Sequence, residues 1–193
     1  MAAAAVLGTT MLAGCGNSSK DEKVPTVSVA QIVEHKSLNE IRDSFKEEMK
    51  ALGYKDGENI KLEFKDAGNQ QNTLNSILST FAGNNSDVIV AIATPTAVTA
   101  ANYSEDIPVV FSAVSDPIGA GLITDLKKPD KNITGTSDEI QVDQILALAL
   151  EIDPSMKTLG FIYNSGEANS VSNLKKAQAR SEEHTPELQS LID

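Results

Sequence analysis

The chain has 193 residues, 40% hydrophobic and 22% charged, with 12 glycines and 7 prolines, a globular rather than a disordered or fibrous composition. Its net charge is −11 and its longest basic runs are Lys127-Lys128 and Lys175-Lys176, so nucleic acid is excluded as a partner. The 4% aromatic content with no Trp offers no stacking platform for bases or sugars. One cysteine and two histidines, His35 and His184, allow no intramolecular disulfide and give no zinc-ligand spacing, so no metal is expected.

Residues 2–13 form an apolar run that is too short for a bilayer, which takes roughly 20 residues, and that suits the core of a secretory signal peptide. Leu12-Ala13-Gly14-Cys15 follows directly and resembles the lipobox of bacterial lipoproteins, where the cysteine receives a diacylglyceryl group and becomes the first mature residue. Residues 1–14 are therefore expected to be a lipoprotein signal and Cys15 the lipidated residue. Residues 15–24, polar from Gly16 to Lys23, are expected to be a flexible tether. No Lys or Arg precedes the apolar run, which fits either a start codon placed too late or a gene fragment that begins inside the signal.

Strand and helix patterns alternate after the tether. Thr26–Val33 reads as a β-branched strand, and Ser37-Leu38-Asn39-Glu40 as a capping box. The helix it opens places Leu38, Ile41, Phe45, Met49 and Leu52 on one face and stops at Gly53. Ile60–Lys65 alternates strictly, as a strand with one wet face at a sheet edge does. A second helix carries Leu74, Ile77, Leu78 and Phe81. Val88–Ala93 is apolar on both faces, as in a central parallel strand. Thr94-Pro95 then reads as a helix entrance capped by Thr94. Pro108–Ser112 is the fourth strand and Asn132–Gly135 a short fifth. Repeated β-α-β with short connections predicts an α/β fold with a parallel, doubly wound sheet.

In such sheets ligands collect at the carboxyl ends of the strands, where helix N-termini point free N–H groups. Those ends carry Glu34 and His35 after the first strand, and Thr94, Pro95 and Thr96 after the third. The fourth is followed by Ser112, Ala113, Ser115 and Asp116, and the fifth by Thr136, Ser137 and Asp138. Hydroxyls and backbone amides dominate, which suits a carboxylate. Each position has a structural reading too: Thr94 as a cap, Ser112 and Ser115 as turn formers, Asp116-Pro117 as a turn pair, and His35 as a surface residue. Gly119-Ala120-Gly121 lacks the downstream Lys-Ser/Thr of a phosphate cradle, so no nucleotide and no cofactor are expected.

Five segments in order carry a family resemblance: Gln31–His35, Ala91–Ala97, Phe111–Pro117, Gly135–Asp138 and Tyr163–Ser170. Together they resemble the ABC-transporter substrate-binding lipoproteins linked to tryptophan and tyrosine uptake, from about Val24 to Ala179. The resemblance implies a type I periplasmic-binding fold, two α/β lobes joined by hinge strands that close on a small solute. It implies lobe 1 over residues 25–136, and a hinge and the start of lobe 2 over 137–179, with a helix at Gln141–Leu150 and a strand at Thr158–Tyr163. Ligand contacts are then expected from Glu34, His35, Thr94–Thr96, Ser112, Ala113, Ser115, Asp116 and Ser137, with Glu167 and Asn169 from the second lobe. The partners implied are a small solute, an amino acid by the family's link, ABC permease subunits, and the membrane reached through Cys15. The protein would then stand lipid-anchored on the outer face of the cell membrane.

From Arg180 the sequence resembles the conceptual translation of a sequencing-library adapter, so residues 180–193 are expected to be non-native and the second lobe truncated. Such a lobe would leave Leu159 and Ile162 without neighbouring strands. Two other function classes compete. A hydrolase on a doubly wound sheet would need a nucleophile beside a base, but the chain has no GxSxG elbow and His35 is its one plausible catalytic histidine. A lipoprotein sensing the same ligand for a membrane receptor would share every feature above.

Overall fold

The structure, a computed structural model, describes residues 23–184; the apolar run, Cys15 and most of the tether, together with residues 185–193, lie outside the described residues. Five strands form one parallel sheet: β1 (Thr26–Gln31), β2 (Lys61–Asp66), β3 (Val88–Ile92), β4 (Val109–Val114) and β5 (Ile133–Ser137). Their order is β2-β1-β3-β4-β5, so β2 is an edge strand, as its alternation predicts. The helices are α1 (Lys36–Ala51), α2 (Gln71–Gly83), α3 (Thr94–Ala100), α4 (Val142–Ile152) and α5 (Ala168–His184), with a 3-10 turn at Ala101–Tyr103.

The two faces of the sheet bury different sets of residues. Val27, Val29, Ile60, Val90 and Ile92 pack against Leu38, Ile41, Phe45 and Met49 of α1. The opposite face is larger: Ala30, Ile89, Ala91, Val109 and Phe111 meet Leu74, Leu78 and Phe81 of α2 and Ala97 and Ala100 of α3. Each fully buried Leu, Ile or Phe contributes about 1.5–3 kcal/mol relative to exposure. Leu52 departs from the expected face. It caps α1 at the C-terminus and stands 66% exposed, because the helix ends before its side chain can turn back to the sheet. Gly53 then takes φ +92°, where a glycine costs least.

Several boundaries move for identifiable reasons. α1 is capped by His35 rather than by a Ser37 box: the imidazole Nδ1 accepts the Ser37 N–H at 3.4 Å, and the His35 carbonyl accepts the Asn39 N–H at 2.8 Å. α3 is entered through Ala93, not capped by Thr94. The Ala97 N–H that a Thr94 cap could use bonds the Ala93 carbonyl instead, at 3.0 Å. β4 and β5 each run to a later residue than predicted, with a register irregularity between Phe111 and Val114. Gly135 fits there because a Cβ would collide with the Phe111 carbonyl and ring. The strand expected at Thr158–Tyr163 does not form. Only Gly160 makes an isolated bridge and Ile162 is fully exposed, since no strand among the described residues lies alongside to complete a ladder. No helix among the described residues is long and apolar enough to cross a membrane.

Candidate functional site

With β1 flanked by β2 and β3, the connections leave β1 and β3 in opposite directions, which makes their carboxyl ends the switch point where sheets of this kind open a ligand crevice. The ladder aligns Gln31 with Ile92, Ile92 with Ser112, and Val114 with Ser137. It therefore brings the segments containing Glu34 and His35, Thr94–Thr96, Ser112–Asp116 and Ser137 to one edge, in that spatial order.

Two alanines at this edge hold conformations that L-residues seldom adopt. Ala93, directly after β3, has φ +76° and ψ 156°, a region otherwise almost reserved for glycine; Ala113, inside β4, has φ +55°. Such backbone costs about 1–3 kcal/mol each, and it gathers where a site requires it. At Ala93 the turn carries the chain abruptly from β3 into α3. At Ala113 it breaks the β4–β5 ladder so that main-chain groups leave the sheet.

The hydroxyls follow this backbone. Thr136 Oγ1 donates to Ser112 Oγ at 3.4 Å, and Ser137 Oγ donates to the Ser115 carbonyl at 3.5 Å. Ser112 is half-buried, Ser137 exposed, and Thr94 and Ser115 buried. Thr96 is fully buried, yet its Oγ1 has no hydrogen-bond partner. The first N–H groups of α1 also face this edge, and their partial positive charge favours an anion.

Gln31, at the end of β1 beside these turns, is not among the site residues expected from the sequence. It is 2% exposed at the end of β1, on the α1 face. Its Nε2 donates to Asn39 Oδ1 at 2.8 Å and to the Val33 carbonyl and Asp66 Oδ2 at 3.2 Å, leaving Oε1 buried and unpartnered. A buried polar atom without a partner costs about 1–3 kcal/mol, so this carbonyl retains an unused acceptor. The available signal was a glutamine in phase with Val27 and Val29, on the strand's buried face.

The other predicted residues take varied roles. Glu34 and His35 are exposed; Glu34 lies 4.0 Å from Arg42, and the His35 ring is occupied as a helix cap. Pro95 and Ala113 shape their turns. The Asp116 carboxylate is turned inward: Oδ1 accepts the Gly119 N–H at 2.7 Å, and Oδ2 accepts the Ser172 hydroxyl of α5. Burial acts to raise its pKa, but the bonds from Ser172, Gly119 and Ile118, helped by the charge of Lys176, hold it below the ordinary carboxylate value. Glu167 accepts from Asn164 Nδ2 at 3.0 Å in the turn that opens α5. Asn169 lies three residues before Ser172, on the same helix face, and its Oδ1 is a third buried, unpartnered acceptor. Among the described residues no group of His, Cys, Asp and Glu could hold a metal ion.

Residues 26–191 match the family described as ABC transporter substrate binding protein. A tyrosine-binding protein of Clostridioides difficile strain R20291 is 41% identical over 178 residues, 86% of this chain and 52% of the relative. Among solved structures, a conserved domain protein from Vibrio cholerae is 40% identical with a TM-score of 0.81, over 89% of this chain and 58% of that one. An ABC domain from Streptococcus pneumoniae in complex with L-Trp is 33% identical with a TM-score of 0.77, over 86% and 55%. The chain thus spans about half the length of the curated relative it matches.

Proposed function

Because the chain belongs to the ABC transporter substrate-binding protein family, we propose that the whole protein captures an aromatic or related amino acid outside the cell membrane and delivers it to ABC permease subunits, without chemistry on the solute. The observation that carries this reading is the carboxyl edge of the sheet, where strained turns at Ala93 and Ala113 stand beside buried acceptors and hydroxyls.

In this reading the hydroxyls of Thr94 and Ser112, the backbone of Ala93–Thr96 and Ala113–Ser115, and the N-terminus of α1 hold the solute carboxylate. Gln31 Oε1 and Thr96 Oγ1 accept from its ammonium or from bridging water, and Asn169 contributes from beyond the hinge at residue 137. Closure of two lobes over the solute shifts a hinge equilibrium that the permease reads. Cys15 supplies the lipid anchor that keeps the protein on the outer face of the membrane. The names of two relatives, a tyrosine-binding protein and a domain bound to L-Trp, support an aromatic solute.

Calorimetric titration of the full-length protein against the twenty amino acids, nucleosides and simple sugars tests this. Tight binding confined to aromatic amino acids is expected, and tight binding of a sugar or nucleoside alone overturns it.

A further inference from the structure

We propose that the Asp116–Ser172 contact is a clasp between the two lobes, which keeps their closed arrangement partly populated before solute arrives. The proposal rests on the two-lobed solute-binding reading above, in which Asp116 belongs to lobe 1 and α5 to lobe 2.

The lobe 1 half of the clasp is built into a tight turn. Asp116 Oδ1 accepts the Gly119 N–H at 2.7 Å, the Asp116 carbonyl accepts the Ala120 N–H at 2.9 Å, and the Pro117 carbonyl accepts the Leu122 N–H at 3.0 Å. Gly119 leaves room for the carboxylate, since a Cβ there would collide with it. With Oδ1 engaged in the turn, Oδ2 accepts the Ser172 hydroxyl of α5. The acceptor is fixed by its own turn, so little ordering opposes the contact. Its charge places the bond among the stronger ones that a hydroxyl can make.

The other half is one face of α5. Asn169, Ser172 and Lys176 are spaced three and four residues apart and so lie in one row. Lys176 Nζ meets Glu139 Oε1 at 2.8 Å, two residues past the end of β5, and α5 packs against α3 of lobe 1 as well as against α4. Two opposed effects act through this row. The Ser172 bond favours the docked position of α5, whereas Asn169 Oδ1, buried there without a partner, disfavours it. They are of similar size, which leaves docking close to balanced. A solute that donates to Asn169 removes the second effect and leaves the first, so its arrival tips the hinge towards closure. Asp116 is expected from the sequence to touch the solute. Here it acts on solute binding through α5 instead, as a positioning residue.

The test compares the full-length protein with its S172A and S172T variants, circular dichroism checking each fold. Calorimetry uses tyrosine and tryptophan as probes, and small-angle X-ray scattering is recorded without solute. Weakening an even closure equilibrium tenfold lowers the closed fraction, and with it the affinity, roughly fivefold. S172A should therefore weaken both amino acids by the same factor of roughly five and enlarge the solute-free radius of gyration. S172T keeps the hydroxyl and should match the parent in both measurements. An unchanged affinity or an unchanged radius in S172A overturns the clasp, and so does a loss in S172T equal to that in S172A. A factor that differs between tyrosine and tryptophan also overturns it, because a side chain that touches the solute discriminates between solutes and a clasp does not. The scattering needs no solute, so it tests the clasp even where neither amino acid binds, and the two readings fail separately.

Discussion

The Ser172 hydroxyl donates to the Asp116 carboxylate, fastening α5 to the turn after β4 across 56 residues of sequence. Lys176, one turn further along α5, reaches Glu139 at 2.8 Å, so two polar contacts fix this helix to the crevice side of the sheet. Leu174 and Ala177 are buried nearby. Asn169 is held in place by the same arrangement.

Ser172→Ala is expected to destabilise the fold by about 1.5–3 kcal/mol, the range for hydrogen bonds to charged groups, and Asp116→Asn by a similar amount. The double variant should cost less than the sum, because both changes remove one bond. Urea denaturation followed by circular dichroism measures all three, and strict additivity would mean the two groups do not interact.

Acid should loosen the same contact. The folded-state pKa of Asp116 is depressed, so the folded protein binds fewer protons than the unfolded chain as pH falls. Its contribution is complete above the unfolded value, about 3.9, and is lost as pH drops through the folded value. Asp87 adds to the trend in the same direction, its carboxylate held down by Lys23 Nζ and the Thr26 N–H. Denaturation midpoints measured from about pH 6 to pH 3 should fall, and less steeply in Asp116→Asn. An identical slope in that variant would remove Asp116 as a contributor.

Ala93→Gly is expected to stabilise the chain by about 0.5–2 kcal/mol, because relief of the φ +76° strain exceeds the entropy that a glycine adds to the unfolded state. Thermal unfolding decides it. A loss of stability would mean that the turn is not strained.

The strands and their order along the chain are legible because β-branched and apolar runs are bounded by polar turns, and a buried parallel strand such as Val88–Ile92 tolerates little else. The crevice is legible because topology alone places the turns after β1, β3 and β4 on one edge. Ala93 is not, since alanine carries no left-handed preference and its strain is imposed by the β3–α3 reversal. Nor is the role of Gln31, which depends on Asp66 from the neighbouring strand and Asn39 from α1 meeting its amide. The inward turn of Asp116 depends on a helix that begins more than fifty residues later. Thr158–Tyr163 shows the converse: the pattern of a strand is present, but a strand forms only where a neighbour supplies the other half of the ladder.

Thr94→Ala combined with Ser112→Ala should weaken solute binding by the full-length protein by about 1.5–3 kcal/mol for each hydrogen bond removed from a charged group. Both variants should fold, and calorimetry should register the loss in affinity. Unchanged affinity would exclude both hydroxyls from the solute contact.

A calorimetric comparison of tyrosine with tyramine on the full-length protein tests most directly whether the crevice edge grips a carboxylate. The two share ring, hydroxyl and amine, and tyramine lacks only the carboxylate. Tyrosine should bind and tyramine should bind at least a hundredfold more weakly, the equivalent of about 2.7 kcal/mol. Equal affinity for both would contradict the account.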